Sequence, residues 1–217
     1  MGRCSGGAAI MAQTWSYIAA GAVQTGANAI VFVPAGYAAG DLLVICLESS
    51  SALISTPTGW TAISAGNYAY AFYKFAGGSE VFTTLSGGSV TAQSVMLCYR
   101  GILGIDTSAT YASASSTSVT TNTQTTTASD DLVISVFGCS ANVNNTITAP
   151  GSTTTRINQS ATVGSGGGLL IVDENKATAG VTTARTASFS NSVSNGCVSF
   201  SFKQSPPPTS IGMSLMF

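Results

Sequence analysis

The sequence predicts an all-β protein, a jelly-roll-like antiparallel β-sandwich, and three observations carry that expectation. Apolar residues recur with a period of two: Val198, Phe200 and Phe202 alternate with Cys197, Ser199, Ser201 and Lys203. Clusters of Gly, Pro, Asn and Ser return at short intervals, at 34–40, 56–59, 77–79, 86–89, 149–152 and 164–168. Sustained helical periodicity is nearly absent, and many short strands between turns favour a sandwich over an α/β fold. The 217 residues, 45% of them hydrophobic, are enough to bury a substantial core.

In chain order, strands are expected at 15–20, 29–33, 41–47, 68–75, 81–85, 94–100, 118–126, 131–136, 168–172, 185–189 and 197–203. The run 41–47 is apolar at both parities and suits a central strand covered on two sides. Leu132, Ile134 and Val136 form a one-sided inward set, and Tyr68, Tyr70 and Phe72 share a face of their strand. The last strand reads as half-buried, with Val198, Phe200 and Phe202 inward. The Ser/Thr-rich stretch 107–128 fits either a long strand or a linker.

The chain also echoes itself. Gly40-Asp-Leu-Leu-Val-Ile-Cys-Leu is followed at an offset of 90 residues (131 − 41 = 90) by Asp130-Asp-Leu-Val-Ile-Ser-Val-Phe. Each copy precedes a proline loop (Pro57, Pro150), an apolar strand, and a closing aromatic-plus-cation pair (Tyr99-Arg100, Phe202-Lys203). The expected organisation is an N-terminal arm 1–14, a sandwich 15–203 with pseudo-halves 15–105 and 118–203, and a Pro-rich C-terminal tail 204–217. Two small tandem sandwiches are the alternative arrangement.

Composition narrows the function. Charged residues make up 7% of the chain, against about 25% in an average domain, and the formal net charge is -1. Such a chain offers no cationic field to nucleic acid or to an anionic membrane, so neither is expected as a partner. No apolar run is long enough to span a bilayer, and the N-terminal stretch has the pattern of neither an export signal nor a myristoylation site, since Gly6 stands where the latter wants Ser or Thr. The five cysteines contain no CxxC pair, which removes the usual zinc and redox motifs. Cys46 and Cys98 fall in apolar strands and read as small core hydrophobes. Cys4 lies on the arm, where it could reach another chain.

The chain has no histidine, so Ser/His and Cys/His catalytic pairs are out of reach. The adjacent acids Asp130 with Asp131 and Asp173 with Glu174 read as solvated strand ends. The stretch 173–175 lacks the spaced acidic loop of a calcium site. The glycine runs at 77–78 and 164–168 lack the Gly-Lys-Ser/Thr of a phosphate cradle. No enzyme activity, metal or cofactor is expected. Trp60, Tyr68 and Tyr70 are candidates for a glycan-stacking platform, with a core role as the competing reading. Behind Pro206, Pro207 and Pro208, the apolar residues Ile211, Met213, Leu215 and Phe217 would be sticky in water and, with Cys4, are the candidate inter-subunit contacts.

The segments Gly40-Asp-Leu-Leu-Val, Pro57-Thr-Gly-Trp-Thr, Phe72-Tyr-Lys-Phe-Ala, Tyr99-Arg-Gly-Ile and Asp131-Leu-Val-Ile together resemble the jelly-roll-like domains of phage minor structural, fibre and decoration proteins. The resemblance covers roughly residues 15–203. It implies a non-enzymatic virion protein, made in the host cytoplasm, that binds other virion proteins and copies of itself as a decoration, collar or fibre component. It brings no catalytic residues. A receptor- or glycan-binding module of a phage tail or a bacterial surface adhesin is the alternative expectation.

Overall fold

The structure, a computed structural model, describes residues 15–50, 54–66, 68–88 and 91–206. Its elements in chain order are β1 (Ser16–Ala20), β2 (Gln24–Thr25), β3 (Ile30–Phe32), β4 (Leu42–Glu48), β5 (Thr61–Gly66), β6 (Ala69–Phe75), β7 (Phe82–Thr84) and β8 (Gln93–Arg100). These are followed by β9 (Ile102–Thr120), β10 (Thr125–Thr126), β11 (Asp131–Cys139), β12 (Ile147–Thr148), β13 (Thr154–Gln159), β14 (Gly168–Lys176), β15 (Gly180–Val181) and β16 (Thr186–Gln204). No helix occurs among the described residues, and the fold is an all-β antiparallel sandwich.

Each main sheet comes from one stretch of chain. The first runs β1-β8-β4-β6-β5, with β2 also on β8; the second runs β12-β16-β11-β14-β13, with β9 also on β16. The double-sided run 41–47 becomes β4, central in its sheet, and β11 takes the central place in the other. The two sheets share one core. Leu42, Val44, Cys46, Val95 and Leu97 from one face Leu132, Ile134, Val136, Ile171, Val198 and Phe200 from the other. Within their sheets Val44 lies opposite Leu97 and Ile134 opposite Phe200, with the inward sets 132/134/136 and 198/200/202 on the shared core as their alternation predicts.

Both outer faces are covered as well. Leu43, Ile45, Tyr70, Phe72 and Met96 of the first sheet pack under Val31 of β3, Leu85 and Trp60. Phe137, Cys139, Leu170, Val172 and Cys197 of the second pack with Val119, Ala187, Phe189 and Val193. Small two-stranded ribbons, β3–β7 and β10–β15, complete the fold.

This second covering corrects the expectation of a half-buried last strand. Cys197, Ser199 and Ser201 are buried along with Val198, Phe200 and Phe202: Cys197 packs in the outer apolar cluster, Gln124 lies over Ser199 and Thr107 over Ser201. The stretch 118–126 is not one strand: β9 ends at Thr120, and Thr121 turns its N–H to the Arg185 carbonyl before β10 begins. The Ser/Thr-rich stretch from 107 to 120 belongs to the 19-residue strand β9. Strands β5 and β13, with few large apolar residues, are additions to the expected set.

Candidate functional site

Strand geometry separates the acid neighbours singled out in the sequence. Asp173 and Glu174 point to opposite faces of β14. Asp173, 1% exposed, accepts from Tyr99 Oη at 2.9 Å and from Arg156 Nε at 2.6 Å. The Arg156 guanidinium also lies 4.1 Å from the centre of the Tyr17 ring. Burial, followed by the Asp173 carboxylate, holds the Tyr99 hydroxyl well above its ordinary range. Glu174 instead pairs with Arg185.

Asp131 and Asp106 form a second cluster. Asp106 accepts from the Thr127 N–H and hydroxyl and lies 3.2 Å from Lys203 Nζ. Burial disfavours its charge, but hydrogen bonds from Thr127, Asp131 and Lys203 prevail and hold its pKa down at about 2. Burial, then the hydrogen bond and charge of Asp106, push Asp131 up to about 7. The expectation of a solvated strand end is therefore corrected for Asp131, Asp173 and Glu174. Asp131 and Asp173 are buried; Asp173 ties Tyr99 and Arg156 together and Glu174 pairs with Arg185, whereas Asp131 lies beside Asp106 with neither oxygen accepting a hydrogen bond.

Asp41 serves the corresponding end of the first sheet. Arg100 grips it with two bonds, Nε to Oδ1 at 2.9 Å and Nη2 to Oδ2 at 2.7 Å, and the Ala38 N–H adds a third. Burial opposes ionisation of Asp41, yet Arg100 and Ala38 keep its pKa below the usual range. Glu48 is different. It is fully buried between the sheets, and neither carboxyl oxygen has a hydrogen-bond partner. A Cβ on Gly167 would lie 1.9 Å from Glu48 Oε2, so that glycine makes room for the acid. Burial pushes the Glu48 pKa well up, opposed by the Gln93 backbone.

The aromatic platform is corrected at two of its three residues. Tyr70 is fully buried, and Trp60 is 8% exposed, donating from Nε1 to Thr83 Oγ1 at 3.1 Å beneath Lys74 Nζ. Neither presents a ring face to a sugar. Tyr68 is half-buried, with a positive φ of 72°, and its carbonyl fills the space where a Cβ on Gly138 would stand. Cys4, Ile211, Met213, Leu215 and Phe217 lie outside the described residues. Cys46, Cys98, Cys139 and Cys197 are buried free thiols.

Two surfaces missed by sequence reasoning stand out. One is an open depression of about 370 Å³ lined by Asn144, Thr146, Ser160, Thr162 and Ser190. Beneath it Asn145 is fully engaged, accepting from the Asn191 N–H and Ser190 Oγ and donating to the Asn191 carbonyl. It can offer hydrogen bonds but has no ionisable group. The other is the outward face of the β3–β7 ribbon. Phe32 and Phe82 are cross-strand partners with ring centroids 6.4 Å apart, 49% and 53% exposed, and Ile30 extends the strip at 43%. The period-two pattern of 30–32 shows its signal, since Ile30 and Phe32 must face away from buried Val31. Among the described residues, no group of three or more Cys, Asp or Glu side chains could hold a metal ion. Compared with family models, curated proteins and solved structures, the chain matches none of them.

Proposed function

We propose that this chain is a non-enzymatic structural protein of a bacteriophage particle, binding neighbouring virion subunits as a decoration, collar or fibre component. The observation that carries this reading is the strip Ile30, Phe32 and Phe82, an apolar surface on an otherwise charge-poor body. Isolated exposed apolar residues are ordinary, but a contiguous aromatic strip gains free energy when a partner covers it. The acids Asp41, Asp106, Asp173 and Glu174 are engaged in holding strands, which suits a protein that acts through its surface. Four buried free thiols suit synthesis in a reducing cytoplasm. The test is addition of purified protein to particles that lack it. Stable binding, weakened about tenfold or more by Phe32→Ser with Phe82→Ser, supports the proposal. Failure of the wild-type protein to bind such particles overturns it.

The glycan-binding alternative moves from Trp60 and Tyr70 to the depression beside Asn144 and Ser190, whose neutral amides and hydroxyls match sugar hydroxyls. Binding on a glycan array that disappears in Thr162→Ala or Ser160→Ala protein would favour it.

We also read the two sheets as copies of one duplicated unit. The orders β1-β8-β4-β6-β5 and β9-β16-β11-β14-β13 correspond strand for strand, and each half adds one ribbon. Each central strand is entered through a left-handed residue, Gly40 with φ 84° and Asp130 with φ 58°. A chain opened between 101 and 102, with its original ends linked, should therefore fold and unfold cooperatively; a permuted chain that stays unfolded counts against the idea.

A further inference from the structure

Most ion pairs of the described residues use arginine, whose guanidinium keeps its charge. A lysine amine can become a nucleophile, and two lysines are paired: Lys74 with Glu80 and Lys203 with Asp106. Glu80 answers to Lys74 and the Gly77 N–H, with no second acid acting on it. The other pair is different. Lys203 Nζ lies 3.2 Å from Asp106 Oδ1, the Asp106 side chain is fully buried, and a further buried acid, Asp131, acts on both.

Three adjacent strands assemble this group. Lys203 lies on β16, between β9 with Asp106 and β11 with Asp131. The pairing of Leu132 with Phe202 sets Asp131 beside Lys203, and the register shift between Ser201 and Phe202, which face Thr107 and Ile105, leaves Asp106 as the extra residue of a bulge. Thr127 holds Asp106 in place, its N–H on Oδ2 and its hydroxyl on Oδ1. Asp131 is fully buried, and neither of its oxygens accepts a hydrogen bond. At the corresponding end of the first sheet Arg100 grips Asp41 with no second acid between them. An ion pair at this position therefore does not call for another buried carboxyl, which is costly to leave without partners.

We propose that Lys203 and Asp106 join in an intramolecular amide bond, with Asp131 as the proton carrier. Asp131 gives its proton to the Asp106 carboxylate and takes one from the Lys203 ammonium, which leaves a neutral acid facing a neutral amine. Nζ attacks Cγ of Asp106, a C–N bond forms, and the C–O bond to one carboxyl oxygen breaks. That oxygen departs as water, carrying the proton from Asp131 and a second one from Nζ, and Asp131 ends protonated. Nothing is oxidised or reduced, no co-reactant is consumed, and the event occurs once in each chain. The Thr127 N–H faces the oxygen on which charge develops. Burial and Asp106 push Asp131 up to about 7, which suits a group that must release and accept a proton near neutrality. Contact between amine and carboxyl replaces a bimolecular encounter, and Lys203, with its side chain 38% exposed, gives the water a way out. The bond ties β9 to β16, and the titration of Asp106 belongs to the chain before the bond forms.

Intact mass spectrometry of the full-length protein, held for days near neutral pH, tests this. The chain should weigh one water less than its sequence requires. Digestion should yield a branched peptide that joins the residues around Asp106 to those around Lys203, with no cleavage after Lys203. Lys203→Arg keeps the ion pair and should restore the full mass. Asp131→Asn should slow the loss of water by at least about a hundredfold while circular dichroism still reports a β fold. The wild-type mass decides even if that variant folds poorly: a wild-type chain of full mass overturns the proposal. A lighter chain with unbranched peptides does so as well, because the water was then lost within one residue. A branch at Asp131 in place of Asp106, or bond formation at the wild-type rate in folded Asp131→Asn protein, also overturns it.

Discussion

The outer faces of the two sheets are covered in different ways. Over the first sheet the cover is apolar: Val31, Leu85 and Trp60 close on Leu43, Ile45, Tyr70 and Phe72. Over one end of the second it is polar, with Gln124 donating to Ser199 at 3.0 Å, Ser135 bonded to Ser199 at 3.2 Å, Thr107 bonded to Ser201 at 2.7 Å, and the Asp106–Asp131 pair beside them. The inner faces are both hydrophobic. The first cover therefore depends on shape, and the second on a hydrogen-bond network in which every partner must be present.

The largest expected effects test what the two sides share. Phe200→Ala in the inner core and Phe72→Ala under the apolar cover should each destabilise by about 3–5 kcal/mol in urea unfolding. A Phe72 loss below about 1 kcal/mol would mean that the ribbon is not packed on its sheet.

The acid pair should give the polar cover its own pH dependence. The folded-state pKa of Asp131, about 7, lies above its ordinary value near 3.8, so between these values the folded state holds a proton that the unfolded state has lost. Stability from this group is complete below about pH 4 and is lost as pH rises through 7. Buried Glu48 acts with the same sign. Asp106, held near 2, acts oppositely, its contribution vanishing as pH falls from 4 toward 2. Asp131→Asn should flatten the slope of melting temperature between pH 5 and 8; an unchanged slope would remove Asp131 as its source.

Ser199→Ala should cost about 1–3 kcal/mol, because it strands the buried Gln124 amide. A neutral result would mean that water replaces the serine. The smallest effect is expected at Lys74, which covers Trp60 at 5.2 Å and pairs with Glu80 at the partly exposed margin of the apolar cover. Lys74→Ala should cost no more than about 1 kcal/mol, read as a melting shift of a few degrees.

What was legible in the sequence follows the same division. The central strand at 41–47 was readable from its doubly apolar run, and the inward faces at 132, 134 and 136 and at 198, 200 and 202 because apolar side chains in period two have one stable arrangement. The burial of Ser199 and Ser201 was not. A serine looks alike on a wet face and in a satisfied network, and only the fold brings Gln124 over it. Strand β13, Thr154–Gln159, escaped because an edge strand with so few apolar residues has no hydrophobic signature. The pairing of Asp131 with Asp106 joins residues far apart in the chain, and no local pattern announces it. The strip at Ile30, Phe32 and Phe82 was visible as alternation but gave no sign of which side faced water.

The buried thiols turn the sandwich into a recorder of its own opening. Cys46 and Cys98 stand in the first sheet, Cys139 and Cys197 in the second, and burial pushes Cys98, Cys139 and Cys197 up to about 12 and Cys46 higher still. Since the thiolate is the form that reacts, a closed molecule is silent toward an alkylating reagent. Each modification then dates an excursion to an open state, and its position says which sheet opened. Four equal labelling rates would describe a sandwich that opens as one cooperative body. Two fast and two slow would describe two sheets that part before either comes undone.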